Sequence, residues 1–230
     1  MKGLKLFILL IFAFSIKLGA QNVVHLCIGD NHNFGVPDNP TSLAFNWSVS
    51  DPSLATIDSG NGTHHILIDL NNTGVFQLLV EEIDANGCSG YDSILVEIHN
   101  LPNPNIFAIG PTSFCEGDSV RLQVDSIYSS NIWNNGDTLI YTFGDTSGIY
   151  FINVTDTNGC SDISDSIYVD VHPNPLADFI VDGVCVNSPT ILINQSSIIS
   201  DSIITKIWYL GNGNIRYGDS ITNTYATIGE

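Results

Sequence analysis

Apolar and polar residues alternate with a period of two along much of this chain. Val120, Leu122 and Val124 fall on one side of a run whose other positions are polar, and Tyr150, Ile152 and Val154 do the same, as do Ile167, Val169 and Val171. Residues i and i+2 share a face only in extended backbone, so each run predicts a half-buried strand. Between the last two runs sits Asp156-Thr157-Asn158-Gly159, which supplies an Asx side chain to close a hairpin turn and a glycine for its left-handed residue. Asp84-Ala85-Asn86-Gly87 supplies the same pieces earlier. After the first twenty residues no segment carries an apolar stripe of helical period.

The pattern is repeated on a larger scale. The segment from Gly148 to Cys160 has a twin from Gly74 to Cys88, and both continue into an Asp-Ser-Ile strand that ends at a histidine, His99 or His172, before a Pro-Asn-Pro step. Upstream, Cys27-x-Gly29-Asp30 matches Cys115-x-Gly117-Asp118, Cys185 opens a third copy, and a tryptophan follows each: Trp47, Trp133 and Trp208. Short strands, regular turns and one tryptophan per unit predict an all-β chain of tandem antiparallel immunoglobulin-like or PKD-like β-sandwiches. Proline fixes its own torsion and extends its neighbour, so Pro102-Asn103-Pro104 and Pro173-Asn174-Pro175 read as short stiff joints. The expected units are 21–101, with a loop insertion around Asp51-Pro52 and Asn61-Gly62, then 102–173, then 174–230. In the third, Gly229 aligns with Gly74 and Gly148, so the second half of that sandwich is expected beyond Glu230.

Residues 1–20 read as a secretory signal: Lys2 and Lys5 at the start, an apolar run from Leu6 to Ile16, and a small-residue exit at Leu18-Gly19-Ala20. The apolar run is too short for a mature anchor, and no later segment is apolar enough to span a membrane. Export makes disulfides permissible. Five cysteines are an odd number; parallel positions suggest Cys27–Cys88 and Cys115–Cys160, leaving Cys185 unpaired. The alternative is that each such pair sits at opposite ends of its sandwich, too far apart to bond.

Cleavage after Ala20 would leave Arg121, Lys206 and Arg216 against 24 acidic residues. That balance argues against nucleic acid and anionic lipid as partners, since both need lysine and arginine to displace counterions from phosphate.

Candidate chemistry has to be weighed against scaffold roles, because residues that recur in every copy belong first to the fold. Gly117-Asp118-Ser119 and Gly218-Asp219-Ser220 superficially match hydrolase nucleophile motifs, yet each leads into a strand and recurs between units, so turn chemistry is expected and no catalytic residue is assigned. Histidines 25, 32, 64, 65, 99 and 172 show no metal-ligand spacing; adjacent His64 and His65 in a strand would point to opposite faces, and His99 and His172 are expected to be structural. Asp84, Asn86, Asp156 and Asn158 are weak calcium candidates, since the turn itself accounts for them and no Asp-x-Asp-x-Asp-Gly loop is present.

Units reading Cys-x-Gly-Asp-Ser-Val, Trp, Ser-Gly-x-Tyr and Val-Thr-Asp-x-Asn-Gly-Cys resemble the immunoglobulin-like repeats of large exported surface proteins of the Bacteroidota, including gliding-motility-associated ones. The third unit, with Ala177-Asp178-Phe179, Trp208-Tyr209-Leu210-Gly211-Asn212-Gly213 and Thr224-Tyr225, resembles the PKD domain, departing from its pattern at Leu210, Asn212 and Asn223. The resemblance implies a non-catalytic cell-surface stalk or adhesion protein, whose partners are a surface glycan or protein and further domains of the same chain. It also implies O-glycan acceptors in the Asp-Ser/Thr-aliphatic triplets, at Ser93, Ser119, Ser126, Thr138, Ser166, Ser202 and Ser220. The alternative function is an accessory carbohydrate- or protein-binding module of a secreted hydrolase whose catalytic domain lies beyond Glu230.

Overall fold

A computed structural model describes residues 22–38, 41–183 and 185–227. The expected signal segment and the aligned Gly229 lie outside the described residues. The chain is all-β, and its residues divide into two compact units. The first takes the residues up to Phe107 with Gln123–Thr142 and Phe151–Ser166; the second takes Ala108–Leu122, Phe143–Tyr150 and Ile167 onward.

In the first unit, residues 22 to 99 form a sandwich of two sheets. Its strands are β1 (Val23–Cys27), β2 (Asn31–Gly35), β3 (Ser42–Val49), β4 (Ala55–Ser59), β5 (His65–Leu70), β6 (Gly74–Asp84) and β7 (Ser89–His99). One sheet has the order β1-β7-β6-β3 and the other β2-β5-β4. Alternation decides which side of each strand is buried: Ile94, Val96 and Ile98 of β7 face inward with Phe76, Leu78 and Val80 of β6, and Ile66, Ile68 and Leu70 of β5 meet them in one core around Phe34, Phe45 and Trp47. Burying a side chain of this kind stabilises by about 1.5–3 kcal/mol.

The stretch expected as a loop insertion is a correction. Its centre folds into β4, with Ala55 fully buried, and pairs with β5, the strand that follows it, whose Ile66 and Ile68 are almost fully buried. Asp51-Pro52 and Asn61-Gly62 are the turns that bound β4, so the insertion adds a strand to the second sheet.

Pairing is mostly antiparallel, with one repeated exception. β1 runs parallel to β7, placing His25 opposite Glu97 and Cys27 opposite His99. In the second unit Ser113–Cys115 runs parallel to Ile167–His172, placing Ser113 opposite Asp170 and Cys115 opposite His172.

The sequence twins thus take the same register. Gly148–Tyr150 completes the latter sheet on its other edge, while in the first unit Ile152–Thr155 pairs with both Ser130–Trp133 and Ser161–Ile163. The expected alternation holds here: Val120, Leu122, Val124, Tyr150, Ile152, Val154 and Val169 are buried, whereas Ile149 and Tyr168 face solvent.

The third repeat, within the second unit, has a sheet of Phe179–Asp182, Pro189–Asn194 and Ser220–Thr224 and a hairpin of Ile207–Tyr209 with Ile215–Tyr217. Its core is small: Leu192, Leu210 and Ile221 with Trp208 packed against them.

Candidate functional site

The residues that recur hold the scaffold. In the first Asx turn Asp84 Oδ1 accepts the backbone N–H groups of Asn86 and Cys88, each at 2.8 Å. In the second, Asp156 Oδ1 accepts those of Asn158 and Cys160 at 2.8 and 2.9 Å. Gly87 and Gly159 sit at φ 83° and 87°, the left-handed region that a Cβ disfavours. These backbone donors hold the Asp84 carboxyl below its usual range, the Cys88 N–H contributing most. The four calcium candidates therefore act as turn formers: the amides of Asn86 and Asn158 also lie 3.4 Å from the second carboxylate oxygen of their own aspartate.

All three tryptophans make one kind of contact. The indole N–H of Trp47 donates to Thr63 O at 2.8 Å, that of Trp133 to Leu139 O at 2.9 Å, and that of Trp208 to Gly218 O at 2.9 Å. A large apolar ring can enter a core at low cost only if its single donor is satisfied, and here a backbone carbonyl does it each time.

The cysteine pairing expected from parallel positions is corrected. Cys27 bonds to Cys160, with Cα atoms 5.6 Å apart, and Cys88, Cys115 and Cys185 are free and exposed. The reason is strand register. Cys27 faces His99 at the C-terminal end of β7, whereas Cys88 immediately precedes Ser89 at its N-terminal end. Eleven residues of extended strand separate those ends, about 35 Å at roughly 3.3 Å per residue, beyond any disulfide.

Five of the six histidines fall into three groups. His64 lies outside β5, so the opposite-face expectation fails: its ring meets that of His65 edge-on, centroids 4.0 Å apart. A Cβ at Gly35 would meet the His65 ring, so a larger residue there would require that ring to turn aside. His32 is half-buried, its Nε2 has no hydrogen-bond partner, and burial lowers its pKa against the opposing pull of Asp30. The third group brings together residues far apart in sequence: His25 Nδ1 lies 2.9 Å from His99 Nε2 and 3.3 Å from Glu97 Oε2. Among the described residues this is the only set of three His, Cys, Asp or Glu groups whose donor atoms converge. Sequence spacing missed it because the convergence depends on the β1–β7 pairing; the signal available was His two residues before Cys27 and Glu two residues before His99.

A second feature is apolar. In the hairpin of the third repeat, Ile207 lies opposite Tyr217 and Tyr209 opposite Ile215, so all four side chains share one face. Tyr209 is 77% exposed, Tyr217 69%, and the two isoleucines nearly half. Next to it, a groove of about 940 Å³ is lined by Phe179, Leu192, Trp208 and Leu210, and Ile207 and Tyr209 belong to its wall as well. Phe179 stands edge-on to Trp208, centroids 5.6 Å apart.

No protein-family model matches the chain. Among solved structures, murine CEACAM1b is 19% identical, with 64% of this chain and 95% of that one covered and a TM-score of 0.34. Fibronectin(III)-like modules of Clostridium thermocellum CbhA are 14% identical over 67% and 93%, with a TM-score of 0.37. The Bacteroides ovatus mixed-linkage glucan utilization locus protein SGBP-B, solved with a mixed-linkage heptasaccharide, is 14% identical over 94% of this chain and 59% of its own, with a TM-score of 0.30. No helix among the described residues is long and apolar enough to cross a membrane.

Proposed function

We propose that this chain is a non-catalytic, exported surface protein whose β-sandwich repeats act as a stalk and whose third repeat makes contact with a surface glycan or protein. The observation that carries this reading is the cross-strand face of Ile207, Tyr209, Ile215 and Tyr217, on the side of the hairpin opposite Trp208, which leaves two tyrosines largely in solvent. Four apolar and aromatic side chains standing together across one hairpin favour a contact role, since contiguous exposed patches of this kind mark interaction sites more often than scattered single residues do. Tyrosine suits it doubly, presenting a flat ring to sugar C–H groups or to a protein and a hydroxyl to water. The disulfide within the first unit supports an oxidising compartment outside the cytoplasm. The strong acidic excess keeps neighbouring copies apart and limits edge-to-edge pairing of sheets. Involvement in adhesion or gliding belongs to this proposal and comes from the resemblance of the repeats.

The test is binding of the purified chain to arrayed glycans and immobilised cell-surface proteins, with Tyr209→Ala/Tyr217→Ala as the comparison. A partner held by the parent and lost by at least about tenfold in the double variant supports the reading, since aromatic anchors dominate contact energetics. Equal binding by both proteins, or turnover of an ester, peptide or glycosidic bond by the parent, contradicts it.

A further inference from the structure

We propose that His25, Glu97 and His99 form a binding site for a divalent transition metal of the zinc type, which clasps the edge strand β1 to β7. The register builds the site. β1 is the outermost strand of its sheet, and its parallel pairing puts His25 directly opposite Glu97. His99 follows Glu97 by two residues and so projects from the same side, opposite to the buried Val96 and Ile98. The three donor atoms lie 2.9, 3.3 and 4.0 Å apart. A tetrahedral zinc with bonds of about 2.0–2.1 Å holds its ligand atoms about 3.4 Å from one another, so the ion fits with small side-chain adjustments. Two imidazoles and one carboxylate are a usual ligand set for zinc, and His25, 51% exposed, leaves the fourth position open to water.

The second repeat supplies a natural comparison. At the place of His25 it has Ser113, whose hydroxyl is 2.9 Å from His172 Nε2, and Asp170 stands where Glu97 stands, 3.6 Å from the same nitrogen. A serine therefore suffices to seat the histidine at this strand end. The fold does not call for a second imidazole, and its presence in the first repeat changes a hydrogen-bonded histidine into three converging metal donors. In the metal-free chain one of the two facing nitrogens carries a proton and the other accepts it. To bind metal, the donating ring moves that proton to its other nitrogen, so both facing lone pairs become free and both rings remain neutral.

The experiment titrates zinc chloride into the full chain with Cys88, Cys115 and Cys185 alkylated under non-reducing conditions, so that free thiols do not compete. The expected result is one saturable zinc per chain and, with cobalt(II) as a spectroscopic substitute, the visible absorption of a four-coordinate site. His25→Ser, which installs the residue the second repeat already uses, and His99→Asn should each weaken binding by at least the roughly 10–100-fold typical of disturbed metal surroundings. His172→Asn should leave it unchanged. Absence of a saturable site, retention of parental affinity in His25→Ser, or equal loss in His172→Asn would overturn the proposal. The cobalt spectrum of the folded parent keeps the test valid even if a variant misfolds.

Discussion

Cys27 stands opposite His99 in the parallel β1–β7 ladder, at the far end of β7 from Cys88. That relationship fixes which cysteine Cys27 can reach, and the partner it takes, Cys160, is itself fully buried.

Peptide mapping without reduction should therefore recover a Cys27–Cys160 cross-link and free thiols at Cys88, Cys115 and Cys185. The bond closes a span of 133 residues, which in the chain-entropy model stabilises by about 5 kcal/mol. Cys160→Ser should lower the unfolding free energy by up to that amount and shift the denaturant midpoint down with it. A Cys27–Cys88 peptide would contradict the register.

Trp133 is the largest fully buried side chain. Trp133→Ala should cost about 3–5 kcal/mol. Trp133→Phe keeps most of the apolar volume and leaves Leu139 O without its donor, a loss of about 1 kcal/mol, so the two variants should separate clearly in urea melts.

His32 sets a pH dependence. Burial lowers its pKa in the folded protein below the ordinary histidine value of about 6.5, so the unfolded chain takes up a proton first as the solution is acidified. The stability this neutral histidine allows is fully present above 6.5 and falls as pH drops through 6.5 toward the folded value. Removing acidic repulsion opposes this in the chain as a whole, so the comparison is with His32→Leu, whose stability should fall less between about pH 7 and pH 5. Parallel curves for the two proteins would exclude the effect.

The structure also sorts the proposed glycan acceptors. Ser93 is only partly exposed, and its hydroxyl accepts the Gln77 side-chain amide at 2.7 Å, whereas Ser119, Ser126, Thr138, Ser166, Ser202 and Ser220 are exposed. Glycopeptide mapping of protein from its natural source should find sugar on some of those six and none on Ser93. A modified Ser93 would contradict the assignment.

What could be read from the sequence was local. Alternation at Val120, Leu122 and Val124 and the Asp-x-Asn-Gly turns depend on neighbours a few residues away, and both appear as expected. Ile66, Ile68 and Leu70 carry the same alternation in a stretch that the sequence already marks as strand, whereas β4 is short and flanked by the turn residues Asp51-Pro52 and Asn61-Gly62, which hide its one fully buried side chain, Ala55. Contacts that depend on which strands pair were not legible. The parallel entry of β1 decides both the disulfide and the meeting of His25 with His99 across 74 residues, and the local spacing around Cys27 and Glu97 becomes informative only once that pairing is known. The hairpin face with Tyr209 and Tyr217 was hidden for a similar reason, since its register sets which side chains stand together.

The central claim is that recurring residues serve the scaffold while the unmatched tyrosine face of the third repeat serves contact. Its most direct test measures thermal unfolding and surface binding side by side for Asp84→Ala, Asp156→Ala and Tyr209→Ala/Tyr217→Ala. The account predicts lowered unfolding midpoints for the two aspartate variants, and for the tyrosine variant an unchanged midpoint with binding lost. Aspartate variants that melt like the parent, or a tyrosine variant that loses stability and keeps its partner, would contradict it.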